Sequence, residues 1–149
     1  MKEYFNLGDY SRKVSAKKKS QTWFDRGLVW LFAYNHEEAI SCFEKAIEED
    51  NECAFAFWGV AYAIGPNYNK HWDVFTPDEK APVLTKAHNA LTAGLALTKS
   101  TTLEKELLEA LVHRYPISAD IEDFQPYSNA FAQAMKPLYK KYQKDLDVC

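Results

Sequence analysis

Apolar residues along this chain recur at steps of three and four, and nowhere do they alternate cleanly with period two. Over 18–34 the positions Trp23, Gly27, Trp30, Leu31 and Tyr34 fall on one face and predict a first helix. Asn35 then reads as an N-cap, with Glu38 at the capping-box position and Glu37 in the first turn. The helix it opens sets Ala39, Ile40, Phe43, Ala46 and Ile47 on one side and Glu37, Glu44, Glu48 and Glu49 on a solvated acidic side. A third helix is expected over 52–64, stopped by a left-handed Gly65 and by Pro66. Thr76-Pro77-Asp78-Glu79 opens a fourth, running to about Leu97 with a kink or restart at Pro82. Thr101 and Glu104 form a second capping box, opening a helix to about His113. A last helix spans about 126–142, bent at Pro137. Two long connections remain, GPNYNKHWD over 65–73 and the stretch 114–124. The expected fold class is all-α, with six main helices in three antiparallel pairs.

The pairs repeat. At an offset of 34 residues Trp23 meets Phe57, Phe24 meets Trp58, Gly27 meets Ala61 and Trp30 meets Ile64. The first pair reads W-x3-G-x2-aromatic (Trp23, Gly27, Trp30), then A-x3-F-x2-A (Ala39, Phe43, Ala46). This spacing resembles the tetratricopeptide repeat. Asn51 stands where the repeat usually ends in proline, and Arg26 where leucine usually precedes the glycine. In the second pair Ala87, Leu91 and Gly94 keep the four-then-three steps. There Ala61 and Ala87 are 26 positions apart against 12 for Gly27 and Ala39, an insertion of 14 (26 − 12). A third pair uses Leu103, Leu107, Ala110 and Leu111, then Ala130, Ala134 and Leu138 around another inserted loop. The resemblance covers about 18–142. It implies a right-handed α-solenoid with repeats at about 20–52, 53–99 and 101–145, and a scaffold that binds protein or peptide. The solenoid would need a polar cap; either the lysine-bearing last helix supplies it or the array is longer than this chain.

The basic, aromatic leader 1–17 is too apolar for a free tail, with Tyr4, Phe5, Leu7 and Tyr10, and is expected to pack on the repeats. The whole chain has 149 residues, is 47% apolar and 15% aromatic, and carries a net charge of −3. That is one domain rich enough in core formers to exclude general disorder, and its charge argues against nucleic acid. No apolar run approaches the roughly 20 residues a membrane span needs, and residues 1–6 lack the core of a secretion signal. The three cysteines, Cys42, Cys53 and Cys149, form no C-x-x-C pair, and free thiols suit a cytoplasmic setting.

In the repeat family the first helix of each pair lines a groove. Repeat register carries those positions onto Gln21, Phe24, Leu28 and Leu31, and onto Phe55, Trp58 and Tyr62. Apart from Gln21 these are aliphatic and aromatic, with no Lys, Arg or Asn to meet a carboxylate, so the expected ligand is a helix or apolar peptide. The plainer reading makes them core, filled in by the loops, the leader or the third repeat. A second copy of the chain closing the groove is a further possibility. Asn67, Tyr68 and Asn69 of the inserted loop are added as ligand-binding candidates, against a plainer role in turn chemistry with Tyr68 and Trp72 as anchors. His36, flanked by Glu37 and Glu38, and His71 form the one faint metal or acid–base constellation. The alternative function is thus a small-molecule or metal-dependent enzyme around His36, Asn67, Tyr68 and His71. No HExxH, GxSxG, P-loop or GxGxxG occurs, so no catalytic residue and no cofactor is assigned.

Overall fold

The computed structural model describes residues 6–148. Among the described residues six helices carry the fold, α1 (Lys18–Phe32), α2 (His36–Glu49), α3 (Ala54–Ile64), α4 (Pro77–Ala96), α5 (Thr102–Val112) and α6 (Gln125–Lys141), with one 3-10 turn at Trp72–Val74. No strand is present among the described residues, so the chain is all-α. None of these helices is long and apolar enough to cross a membrane. Tyr4, Phe5 and Cys149 lie outside the described residues; Cys42 and Cys53 are buried free thiols, both pushed up in pKa by burial.

α3 has no polar face: its sequence AFAFWGVAYAI is apolar on every side. Such a helix must be enclosed. It packs on α1, α2, α4 and α5, and is the hub of the molecule. The remaining contacts run α1 to α2, α4 to α5 and α5 to α6. Phe24, Phe43 and Leu108 are fully buried at the centre, with Leu28 and Leu91 at 2% exposure.

Several boundaries differ from the periodic pattern, each for a local reason. α1 ends at Phe32, two residues early, because Tyr34 takes φ 60 and reverses the chain. The Asn35 N–H donates to the Trp30 carbonyl and the Tyr34 N–H to that of Leu31, which is a Schellman ending with tyrosine where glycine is usual. Asn35 also caps α2, its side chain accepting from the Glu38 N–H at 3.2 Å; with its own N–H committed to Trp30, only half of the expected box forms. α3 starts at Ala54, after the tight turn in which Asp50 caps α2. α4 is continuous through Pro82, which lies in the second turn, where only the Asp78 carbonyl loses a partner. Gly65 is not left-handed; it is extended, at φ −81. Its missing side chain matters instead because a Cβ there would strike the Tyr115 ring and hydroxyl. That hydroxyl is buried, pushed up to about 12 by its burial, and donates to the Ala61 carbonyl.

The segment before α1 is held by side-chain acceptors from distant elements. The Arg12 N–H donates to Asp25 (3.0 Å), Val14 to Gln21 (3.0 Å), Ser15 to Glu104 (3.0 Å) and Lys17 to Asp50 (2.8 Å). Val14 is buried among the helices. Backbone outside helices and strands needs such partners, and here Asp25, the Gln21 amide and the buried carboxylates of Asp50 and Glu104 provide them. Glu104 serves twice, since its other oxygen accepts the Thr101 N–H that caps α5.

Candidate functional site

Three aromatic rings on one face of α3 form a ladder. Phe55 and Trp58 have ring centroids 4.8 Å apart, and Trp58 and Tyr62 stack at the same spacing. Phe55 is buried, whereas Trp58 and Tyr62 are only half-buried. They form one wall of a cleft of about 670 Å³. α1 contributes Leu28, Leu31 and Phe32 beside them, and α5 contributes Leu107. α6 closes the opposite side with Ser128, Phe131 and Met135. This explains why Phe131 and Met135 stay partly open although they are apolar. The volume falls within the 300–1,000 Å³ or so typical of ligand clefts.

The inserted loop forms one edge of the same cleft. Pro66, Asn67, Tyr68 and His71 line it, as do Tyr34 and His36 at the α1–α2 corner. The groove and the loop, two separate candidates in the sequence, are therefore parts of one cavity. Tyr68 is 81% exposed and projects from the loop rather than anchoring it. The anchor is Trp72, buried and stacked on Phe124 at 4.7 Å, with Phe75 and Tyr115 around it. Asn67 performs turn chemistry while lining the cleft: its side-chain oxygen accepts from the Asn69 and Lys70 N–H groups at 2.9 and 3.1 Å. Asn69 is exposed and does not line the cavity.

Two positions carried over by repeat register lie elsewhere. Phe24 is fully buried beneath the wall, 5.5 Å from the Phe43 ring and 5.3 Å from that of Phe55. Gln21 holds the leader, accepting from Val14 and donating to the Arg12 carbonyl and to Asp25. Leu28, Leu31 and Phe55 are buried too, so the cleft touches only their edges.

Both histidines reach the cleft. His36 Nδ1–H donates to the Tyr34 carbonyl at 3.1 Å. No group of three or more His, Cys, Asp or Glu side chains is placed to hold a metal ion among the described residues. His88 is committed elsewhere, to the Pro116 carbonyl at 2.8 Å.

Arginines are what the groove register missed. Arg114, just beyond α5, lines the cleft with its guanidinium over the Tyr62 ring at 4.9 Å and the Phe131 ring at 5.4 Å. Arg12 lines the other end, over the Phe55 ring at 5.2 Å. Its guanidinium forks onto Asp145 at 2.6 and 2.8 Å and also pairs with Asp147, which takes the Tyr10 hydroxyl as well. The hydrogen bond from Arg12 holds the Asp145 carboxyl below the usual range. Val148 is tucked against this end of the cleft. Neither arginine belongs to a periodic helical face, so helical patterning could not have flagged them.

No family model, curated protein or solved structure matches the chain.

Proposed function

We propose that this chain is a helical-repeat scaffold of tetratricopeptide type, a right-handed solenoid of three helix pairs that binds a peptide segment of a protein partner. The observation that carries the reading is the half-buried Trp58–Tyr62 stack on the wall of a 670 Å³ cleft. Aromatic rings left half-open in a concave site are the usual anchors of recognition, because they offer large area at small entropic cost. Further support comes from the helices involved: α1, α3 and α5, the first of each pair, share the wall. α1 packs on α3 and α3 on α5, as a stack of pairs requires. A cytoplasmic setting belongs to the same proposal and fits the free buried thiols.

The test is a pull-down with the wild-type chain, Trp58→Ala and Tyr62→Ala, each checked by thermal melting. Partners captured by wild type and lost in both variants, at melting temperatures within about 4 °C, support the reading. Capture that is unchanged in both well-folded variants overturns it.

A second reading has one observation in its favour: His36, His71, Asn67 and Tyr68 border a single cavity. They would suit a small-molecule enzyme. It ranks lower because no third ligand completes a metal set beside the two histidines among the described residues. A stoichiometric metal in purified protein, lost in His36→Ala, would reverse that ranking.

A further inference from the structure

We infer that the bound segment carries an acidic side chain next to its apolar anchors, and that Arg114 receives it; this rests on the peptide reading of the cleft. The starting point is an uncompensated cation. Arg114 is the one arginine of the cleft without a carboxylate: Arg12 has Asp145 and Asp147, whereas no ion pair involves Arg114 among the described residues. Its Nη2 donates to the Pro66 carbonyl, and its Nη1 is buried without a hydrogen-bond partner. The Tyr62 and Phe131 rings cover part of the guanidinium, and the residue as a whole is half-buried.

A guanidinium in this condition is poorly compensated. Aromatic faces attract it but carry no net charge, and a single carbonyl satisfies one of five donors. Desolvation also strengthens its attraction to any anion entering the cleft. A carboxylate matches the single charge, and its planar oxygens suit the guanidinium fork. A phosphate, at about −1.5 to −2, would leave charge unmet, since no second free cation borders the cleft among the described residues. Tyr62 and Phe131 flank this point, and Trp58 and Met135 line the same cleft, so the acid must sit beside apolar groups. The recognised chemistry is a single negative charge on an apolar body, and the source to which we assign it is an acidic–apolar peptide.

Two dyes isolate this chemistry. 8-Anilinonaphthalene-1-sulfonate has an apolar body with one anionic group; N-phenyl-1-naphthylamine has the same body without it. Fluorescence titration of the full chain should show the anionic dye binding about tenfold tighter in wild type. Arg114→Gln should bring the two dyes to within about twofold, with the neutral dye unchanged, and Arg114→Lys should keep part of the preference. Should Arg114→Gln unfold, Arg114→Met, which keeps the stem packed against the Tyr62 and Phe131 rings, takes its place and should lose the anionic preference in the same way. Equal binding of both dyes to wild type, or a preference that survives in the folded Gln or Met variant, overturns the inference. Failure of the peptide reading looks different. A random heptapeptide library on phage, selected on wild type, should enrich Asp or Glu beside Phe, Leu or Trp. Enrichment of apolar peptides without an acid overturns the role of Arg114 alone, whereas no enrichment at all overturns the peptide as the source.

Discussion

The ring of Phe43 occupies the space that a side chain at Gly59 would need: a Cβ built there would stand 2.6 Å from Cδ1 of that ring. Gly27 faces the same ring, with a Cβ clearance of 2.5 Å to Cε1. One phenylalanine of α2 therefore sets how closely α1 and α3 approach it. Gly59→Ala should destabilise by about 1–3 kcal/mol through overpacking, although alanine is intrinsically the better helix former. Urea unfolding measures this, and a stabilised variant would show that the ring can move aside. Adding Gly27→Ala should cost less than the sum, since both substitutions displace one ring.

The wall of the cleft and the core beneath it should respond in opposite ways. Phe24→Ala removes a ring packed between Phe43 and Phe55 and should cost about 3–5 kcal/mol. Trp58→Ala, half-buried, should cost clearly less while abolishing dye binding. Parallel denaturation and titration would separate the two effects. A Trp58 variant as unstable as the Phe24 variant would make Trp58 part of the core.

Arg12 and Asp145 give the chain an acid-sensitive joint. Asp145 is held below its ordinary range by the hydrogen bond from Arg12. Its contribution is thus complete above the unfolded carboxylate value of about 3.9 and is lost as pH falls through the lower folded value. Asp50 acts in the same direction: burial raises it, but hydrogen bonds from the Lys17 and Glu52 backbone more than offset that. Stability should therefore decline from about pH 5 downward, and Asp145→Asn should be weaker at pH 7 yet lose less on acidification. Urea midpoints between pH 2.5 and 7 check this; parallel acid limbs for the two proteins would refute it. Arg12→Gln, which strands two carboxylates, should cost about 1–3 kcal/mol at pH 7.

Tyr34 sits in the left-handed region at the mouth of the cleft, 59% exposed. A non-glycine residue there costs about 1–2 kcal/mol, so Tyr34→Gly should raise stability by up to about 1 kcal/mol after glycine's own entropy is counted. A fall in the melting temperature would mean that the tyrosine ring holds the corner.

Helices, caps and the all-α class were legible because they follow from spacing within a few residues, as with Thr101 and Glu104. What escaped depends on contacts between distant parts of the chain. Gly65 looks like a helix stop, but its smallness answers to Tyr115, fifty positions later. Glu104 reads as a cap residue, yet it and Asp50 are also buried acceptors for the leader. Phe24 and Trp58 occupy equivalent helical registers, and only the packing of Phe55 against Phe24 separates floor from wall. Arg114 lies in a connection with no periodicity, so nothing local marks it as part of the cleft.

Most helices here touch neighbours in sequence, and such a chain could unravel from either end in steps. The fork from Arg12 to Asp145 and Asp147 spans 133 and 135 positions and ties the segment before α1 to the segment after α6. Opening of either segment at this point breaks the tie, so α1 and α6 are expected to open together with the rest of the molecule. Hydrogen exchange at the amides of α1 and α6 should then report free energies close to that of the whole molecule, and Arg12→Gln should lower those two helices selectively.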